Sequence, residues 1–217
     1  MLEGTTITIP ILTRDVPGFY DFEGWYKEAA LTNKWKADDT VTDNITLFAK
    51  WTPLKTKGEN GTGGGKIFYV DPEGFTFYQT ATDTVGITCY YLEAALSGLN
   101  GSVWANGRAY IGTEKELGTG RRNTGLCMNE SVFTYYAPRY CYNYTGGGKT
   151  DWFLPSLDEL NQLYINRAYV GNLGTNYYWS SSDDVNPALV WVQHFSDGAQ
   201  LPTSKGTAWY SRPIRAF

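Results

Sequence analysis

The segment Pro155-Ser156-Leu157-Asp158-Glu159-Leu160-Asn161-Gln162-Leu163-Tyr164 constrains the fold of this chain more than any other. Ser156, with Glu159 three residues on, forms a capping box, and Asp158 and Glu159 fall in the first turn, where the helix dipole favours acidic groups. Leu157, Leu160, Leu163 and Tyr164 recur at helical spacing and mark a buried face. Losing the Ser156 cap is expected to cost about 1 kcal/mol. After this helix, everything to Phe217 reads as short strands and loops. A capped helix amid short strands predicts an α+β fold.

The 217 residues suit one large domain, or one domain with a small appendage. Tyr, Trp and Gly are abundant while charges are sparse, a mix that fits a loop-rich domain and also a binding surface. A net charge of -4, with no Lys/Arg cluster beyond Arg121-Arg122, argues against nucleic acid as a partner. No apolar run approaches the roughly 20 residues that span a bilayer. Met1-Leu2-Glu3-Gly4 leads straight into Thr/Ile alternation without a signal-peptide pattern, so export as part of a longer protein, or by another route, is expected. Cys89, Cys127 and Cys141 are an odd set: at least one is free or pairs between chains, and buried thiols are favoured over a Cys127–Cys141 bridge. With one His and no Cys-x-x-Cys, no metal or cofactor is expected.

The chain divides by pattern into 1–52, a polar Gly-rich linker at 53–64, and 65–217. In the first part, Thr5 to Pro10 alternates as a strand, Phe22-Glu23-Gly24-Trp25-Tyr26 is an aromatic strand, and Thr46 to Trp51 is a third. Phe22-x-Gly24-Trp25-Tyr26, Trp35, and Ile45 to Trp51 resemble the Listeria–Bacteroides (internalin B-type) repeat. That resemblance implies a small β-grasp-like spacer without a site of its own. The family's usual first strand should lie upstream of Thr5 and is missing, so a partial module with one unpaired edge is expected. In the linker, Gly61-Thr62-Gly63-Gly64-Gly65 is not a phosphate loop, because Lys66 is followed by the strand Ile67-Phe68-Tyr69-Val70 instead of a helix.

In the second part, Lys66–Asp71 and Gly74–Gln79 read as two strands joined by a turn at Asp71-Pro72-Glu73-Gly74. Tyr91 to Leu96 is a short helical or extended piece, and residues 120–142 form a helical region broken by Pro138. Several blocks recur here in fixed order: Gly65 to Val70, Tyr91 to Ala95, Ile111-Gly112-Thr113, Gly146 to Leu160, Tyr178-Trp179-Ser180-Ser181-Ser182, and Arg212 to Phe217. Together they resemble the C-terminal domain of Legionella collagen-like adhesins, over roughly 63–217. That resemblance implies a C-type-lectin-like fold on a bacterial surface protein and adhesion to a glycan or matrix partner. The close of the chain is also similar to the variable proteins of diversity-generating retroelements, in which adenine-directed mutagenesis rewrites a lectin-fold surface.

The residues allow a check on that last resemblance. Randomising the first two bases of a codon that ends in a pyrimidine cannot give Lys, Glu, Gln, Met or Trp. Asp183–Val190 and Leu201–Ser204 contain none of these, whereas Trp191, Gln193, Gln200, Lys205 and Trp209 stand between the plain runs. The expected ligand surface is therefore Asp183, Asp184, Val185, Asn186, Leu189, Val190, Val192, His194, Leu201, Pro202, Thr203, Ser204, Thr207, Tyr210 and Ser211, with Ala199 beside them. Trp179 and Trp209, with Trp152, are candidates to stack on sugar rings or anchor a protein.

Catalytic readings are weaker. His194 is the only imidazole; strand alternation sets it with Val190 and Val192 on the outward face, opposite Trp191, Gln193 and Phe195, as an exposed ligand contact. Ser180-Ser181-Ser182 lacks a nucleophile elbow. Asp183-Asp184-Val185-Asn186-Pro187 does not match the lectin calcium pattern and does not visibly supply six to eight oxygens. Cys127 and Cys141 lie outside the terminal loops, which disfavours a lectin-fold oxidase of the formylglycine-generating type. At least one of Arg212 and Arg215 is expected to pair with Asp151, Asp158 or Glu159 and fix the chain end, with Arg212 named as the stability residue. The reading is a non-enzymatic binding domain of a surface or exported protein, its partner a glycan or a host or bacterial surface protein. A lectin-fold enzyme and a spacer without a ligand are the alternatives.

Overall fold

The computed structural model describes residues 20–41, 43–53, 55–130 and 134–217. The chain forms two compact units, Met1–Lys55 and Thr56–Phe217. The strand expected over Thr5–Pro10 and the edge it was to leave lie outside the described residues.

In the first unit, strands β1 (Tyr20–Tyr26) and β2 (Phe48–Pro53) pair antiparallel, with Phe22 opposite Trp51 and Trp25 opposite Ala49. Tyr26 and Trp35 are buried, and the Phe22 ring packs on Trp25 and Trp51. The Trp35 N–H donates to the Trp25 carbonyl, which folds the long connection back onto β1.

The second unit is α+β. A three-stranded sheet has the order β10-β4-β3, built from β3 (Lys66–Phe77), β4 (Ile87–Ala94) and β10 (Ile214–Ala216). A five-stranded sheet has the order β5-β9-β6-β7-β8, from β5 (Leu99–Ser102), β6 (Tyr177–Asp183), β7 (Leu189–His194), β8 (Gln200–Ser204) and β9 (Trp209–Ser211). Four helices complete it: α1 (Gly120–Asn129), α2 (Tyr136–Tyr142), α3 (Leu157–Ile165) and α4 (Arg167–Val170).

Helix α3 carries the full capping box: the Ser156 hydroxyl accepts from Glu159 N–H, and the Glu159 carboxylate accepts from Ser156 N–H. Two expectations fail on tertiary grounds, and the open choice between helix and strand at Tyr91 resolves to strand. Residues 66–77 are one bulged strand, not a hairpin, because β4 runs past both halves: Val70 pairs with Tyr91 and Phe75 with Cys89, and the four residues between loop out. Tyr91 to Ala94 is extended as the centre of that sheet. Pro138 does not break a helix; it sits in the first turn of α2, where a missing N–H costs nothing, and the break falls between Asn129 and Tyr136.

The expected linker at 53–64 is also corrected. Residues 56–64 belong to the second unit, where Gly58 N–H donates to Ile67 O and Gly63 and Gly65 N–H donate to the Glu93 carboxylate. The glycines serve close approach here: a Cβ on Gly63 would sit 2.7 Å from the Trp152 ring and one on Gly65 2.4 Å from the Ala94 carbonyl oxygen. Glu93 is fully buried, and Arg215 donates to it at 3.0 Å and to Asp151 at 2.6 Å. Of the expected arginine pairings, Arg215–Asp151 forms. Arg212 instead donates to the carbonyls of Ala95 and Asn172.

All three cysteines are free and buried. One core joins Phe68, Leu92, Phe153, Leu160, Tyr178 and Phe195; a second joins Trp104, Cys127, Cys141, Leu154, Trp179 and Val192.

Replacing Arg215 with Met strands a buried carboxylate and should lower unfolding free energy by about 3–5 kcal/mol, with part regained when Glu93→Gln is added; denaturant titration of the three proteins reads this. A pH effect follows from Glu159. Burial pushes its carboxyl up from 4.5 to about 7, against the N–H donors of Ser156 and Gly118 that favour the anion. The folded chain therefore holds that proton more tightly than the unfolded chain. The resulting stability is full below about 4.5 and is lost as pH rises through about 7. The difference in melting temperature between wild type and Glu159→Gln should change over this window and level off above it.

Candidate binding site

The frame is the β6–β7 pair. Tyr177 lies opposite His194, Tyr178 opposite Gln193 and Trp179 opposite Val192, and β8 continues the sheet with Leu201 opposite Val192 and Thr203 opposite Val190. Alternation then sets Tyr177, Trp179, Val190, Val192, His194, Leu201, Thr203 and Trp209 on one face. Tyr178, Gln193, Pro202, Ser204 and Tyr210 take the other.

Both faces of the centre are covered. Trp179, Val190 and Val192 are in the second core with Trp104 and Leu154, while Tyr178 and Phe195 join Leu160 and Leu163 in the first. Trp179, Val190 and Val192 were expected at the surface and are instead fully buried. The alternation was right, but the face assumed to be open is roofed by α1, α2 and the Trp104 loop. Trp179 Nε1 donates to Ser102 O and Trp104 Nε1 to Ser180 O. Trp152 is buried as well, which leaves Trp209 as the half-exposed one of the three candidate tryptophans.

Asp183 and Ser211 are likewise corrected to interior positions. Asp183 lies at the end of β6, and its carboxylate accepts from Ile111 N–H at 2.7 Å, Thr113 N–H at 3.0 Å and Thr113 Oγ1 at 2.5 Å. It clamps the 111–113 segment and has no oxygen free for a ligand. Ser180, Ser181 and Ser182 are buried too, and Ser180 and Ser182 donate to the carbonyls of Trp191 and Glu114.

The remaining expected residues reach solvent at least in part. Asp184, Val185 and Asn186 form a turn in which Asp184 Oδ1 accepts from Asn186 N–H. Leu189 lies on β7, Pro202 and Ser204 on the edge strand β8 and Thr207 just beyond it, while Tyr210 lies on β9, across β6, and is turned onto Tyr178 on the far face. His194, Leu201, Thr203 and Trp209 share the near face, and Tyr177, not expected as a site residue, joins them. The Tyr177 ring stacks on His194 at 4.4 Å and meets Trp209 at 4.7 Å. This half-buried ladder is the part of the near face that the helices leave open. Tyr177 was legible as the first aromatic of its strand; its register opposite His194 was not.

The loops on this face are shaped by main-chain bonds. Asp184 N–H donates to Leu189 O, Leu189 N–H to Asn186 O, Lys205 N–H to Ala188 O, Thr207 N–H to Ser204 O, and His194 N–H to Ala199 O. Of the residue types that stand between the plain runs, Gln193 and Lys205 are buried, and the Lys205 ammonium donates to Ala109 O below the Trp104 ring.

His194 Nδ1 lies 3.0 Å from Asp197 Oδ1 and 2.9 Å from Ser196 Oγ. A proton relay requires the acid and the hydroxyl on opposite ring nitrogens, whereas here both lie nearest Nδ1, with Ser196 Oγ a longer 3.4 Å from Nε2. Asp197 also accepts from Ala199 N–H, and that bond, with the His194 contact, holds its carboxyl below the usual range. The trio is a turn clasp. Burial pushes the Cys127 and Cys141 thiols well above their ordinary value, opposite to what a reactive thiolate needs. Among the described residues, no group of three or more His, Cys, Asp or Glu side chains is placed to hold a metal, and no helix is long and apolar enough to cross a membrane.

The chain thus pairs a small β unit with an α+β domain that has a two-sided core and an open, loop-edged sheet face. The family comparison makes this specific: residues 98–215 match the Lcl C-terminal domain model, and the chain belongs to that family. Residues 3–50 match the Listeria-Bacteroides repeat domain. Two provisionally named proteins of Evansella cellulosilytica, a membrane protein and a Gly-rich membrane protein, are 38% and 39% identical over 56 residues, 25% of this chain. The match covers only 8% and 6% of their respective lengths.

Frame and surface should separate by mutation. Asp183→Ala leaves three part-buried donors without their carboxylate and should cost about 2–3 kcal/mol, while Asp184→Ala should stay within about 0.5 kcal/mol of wild type; chemical denaturation of both variants measures the contrast.

Proposed function

We propose that residues 56–217 are a non-enzymatic, C-type-lectin-like ligand-binding domain that serves adhesion. The site is the open sheet face of Tyr177, His194, Leu201, Thr203 and Trp209 together with the 184–188 and 205–208 loops. The observation that carries this is the main-chain bonding that ties those loops to the sheet, to which the Asp184, Asn186 and Ser204 side chains add bonds within the turns. A surface of that kind can change its chemistry at little cost in stability, as a diversified recognition surface must. The buried Gln193 and Lys205, types that pyrimidine-ending randomised codons cannot produce, sit in the frame beneath it. The ligand class is a glycan or a host or bacterial surface protein. The aromatic ladder offers flat area at low entropic cost, as paratope tyrosines and tryptophans do. The first unit acts as a spacer that sets this domain away from its attachment.

The full chain on a mixed glycan and surface-protein array should give a defined set of ligands whose binding survives chelator. In the combined variant Asp184→Ala, His194→Ala, Thr203→Ala, those signals should fall about tenfold or more while the melting temperature stays near wild type. Unchanged binding in that variant would remove the site. Sequencing the locus across sister strains checks the diversification: substitutions should gather at 184–189, 194, 199, 201–204, 207 and 210, and an even spread over the domain would contradict it.

A further inference from the structure

We infer a second, saccharide-binding groove on the outer face of α2, independent of the sheet face. Tyr136, Arg139, Tyr140 and Asn143 stand at i, i+3, i+4 and i+7, one stripe of the helix. That spacing ordinarily marks the buried side, but here the buried side is Ala137, Pro138 and Cys141, and the aromatic stripe faces out. With Tyr144 and the turn at Thr145-Gly146 it lines a shallow, open groove of about 570 Å³.

The groove is built in advance. Tyr144 meets the buried Trp152 edge-on at 5.1 Å, and Trp152 Nε1 donates to Gly146 O at 3.0 Å. Residue 146 must be glycine for that approach, since a Cβ there would come within 2.4 Å of the Tyr144 ring. Tyr140 leans on the core of Trp104 and Cys141, with its ring 6.4 Å from Tyr144. Tyr136 N–H donates to Trp104 O.

The lining selects the ligand. It has no aliphatic side chain to receive a peptide's Leu or Val anchor, but offers three tyrosine rings for the C–H faces of pyranose rings. The Arg139 guanidinium, Asn143 amide and Thr145 hydroxyl have no hydrogen-bond partner among the described residues, and together they supply the donors and acceptors that sugar hydroxyls need. One cation on a chain of net charge -4 does not suit a polyanion, so the ligand class is a neutral oligosaccharide.

The experiment titrates the full chain with cellohexaose, chitohexaose, mannohexaose and xylohexaose, and separately with dextran sulfate and a random peptide library, following the ring resonances of Tyr136, Tyr140 and Tyr144. At least one neutral hexasaccharide should shift these signals. Tyr136→Ala and Arg139→Gln should each weaken it about tenfold at unchanged melting temperature, and Arg139→Gln gives the readout alone if Tyr136→Ala does not fold. The Asp184/His194/Thr203 variant should bind it normally, which separates this groove from the sheet face. No response to any neutral saccharide, response to dextran sulfate or peptides alone, or undiminished binding in Arg139→Gln overturns the inference.

Discussion

The second unit is held closed by one buried carboxylate. Glu93 sits at the centre of the three-stranded sheet and is met by three donors: Gly63 and Gly65 N–H groups from the segment that opens the unit, and the Arg215 guanidinium from the last strand. An isolated carboxylate in that position would be costly, so the entering segment, β4 and β10 must assemble together or leave a charge unanswered. Asp151 and Thr62 complete the guanidinium's contacts and bring in the turn before α3. The glycines around this charge admit backbone where no side chain fits. Their abundance thus reflects crowding, the opposite of the looseness that glycine usually suggests.

From that closure the division of labour in the other sheet follows. Strands β6 and β7 are packed between the two cores, so Trp179, Val192 and Gln193 can change only by disturbing both helices and sheet. The edge strand β8 and the loops beside it touch the frame through main-chain bonds, the Leu201 side chain and the buried Lys205. Buried and solvent-reaching residues therefore stand next to one another along one strand. His194 is half-buried beside Tyr177, while its neighbours in sequence, Gln193 and Phe195, are buried.

Local chemistry was legible in the sequence wherever a residue's partner lies close in the chain. The Ser156–Glu159 box fixed α3, and the aromatic runs at Phe22–Tyr26 and Tyr177–Trp179 lie in strands. Features decided by distant partners were not legible. The turn-like Asp71-Pro72-Glu73-Gly74 became a bulge because β4 pairs on both sides of it. Pro138 was tolerated because the helix begins two residues before it. For the site, alternation gave the correct faces of β7, but which face is roofed depends on α1 and α2. Trp179, Val190 and Val192 were therefore read as surface and Tyr177 was missed. Asp183 looked like a ligand because its three donors come from 111–113, a segment without periodicity of its own.

The pairing of β10 with β4 has a consequence for the order of events during synthesis. Strands β3 and β4 are near neighbours in the chain and can meet early, but Ile214 pairs with Ala94 across nearly the whole unit, and Ser211 pairs with Leu99 in the same way. Contacts of such long sequence separation form slowly. Until Arg215 has left the ribosome, the Glu93 charge has no guanidinium and β4 has an open edge. The nascent unit must therefore wait, unlocked, for its final few residues, and a chain truncated just before them would be left with that edge exposed.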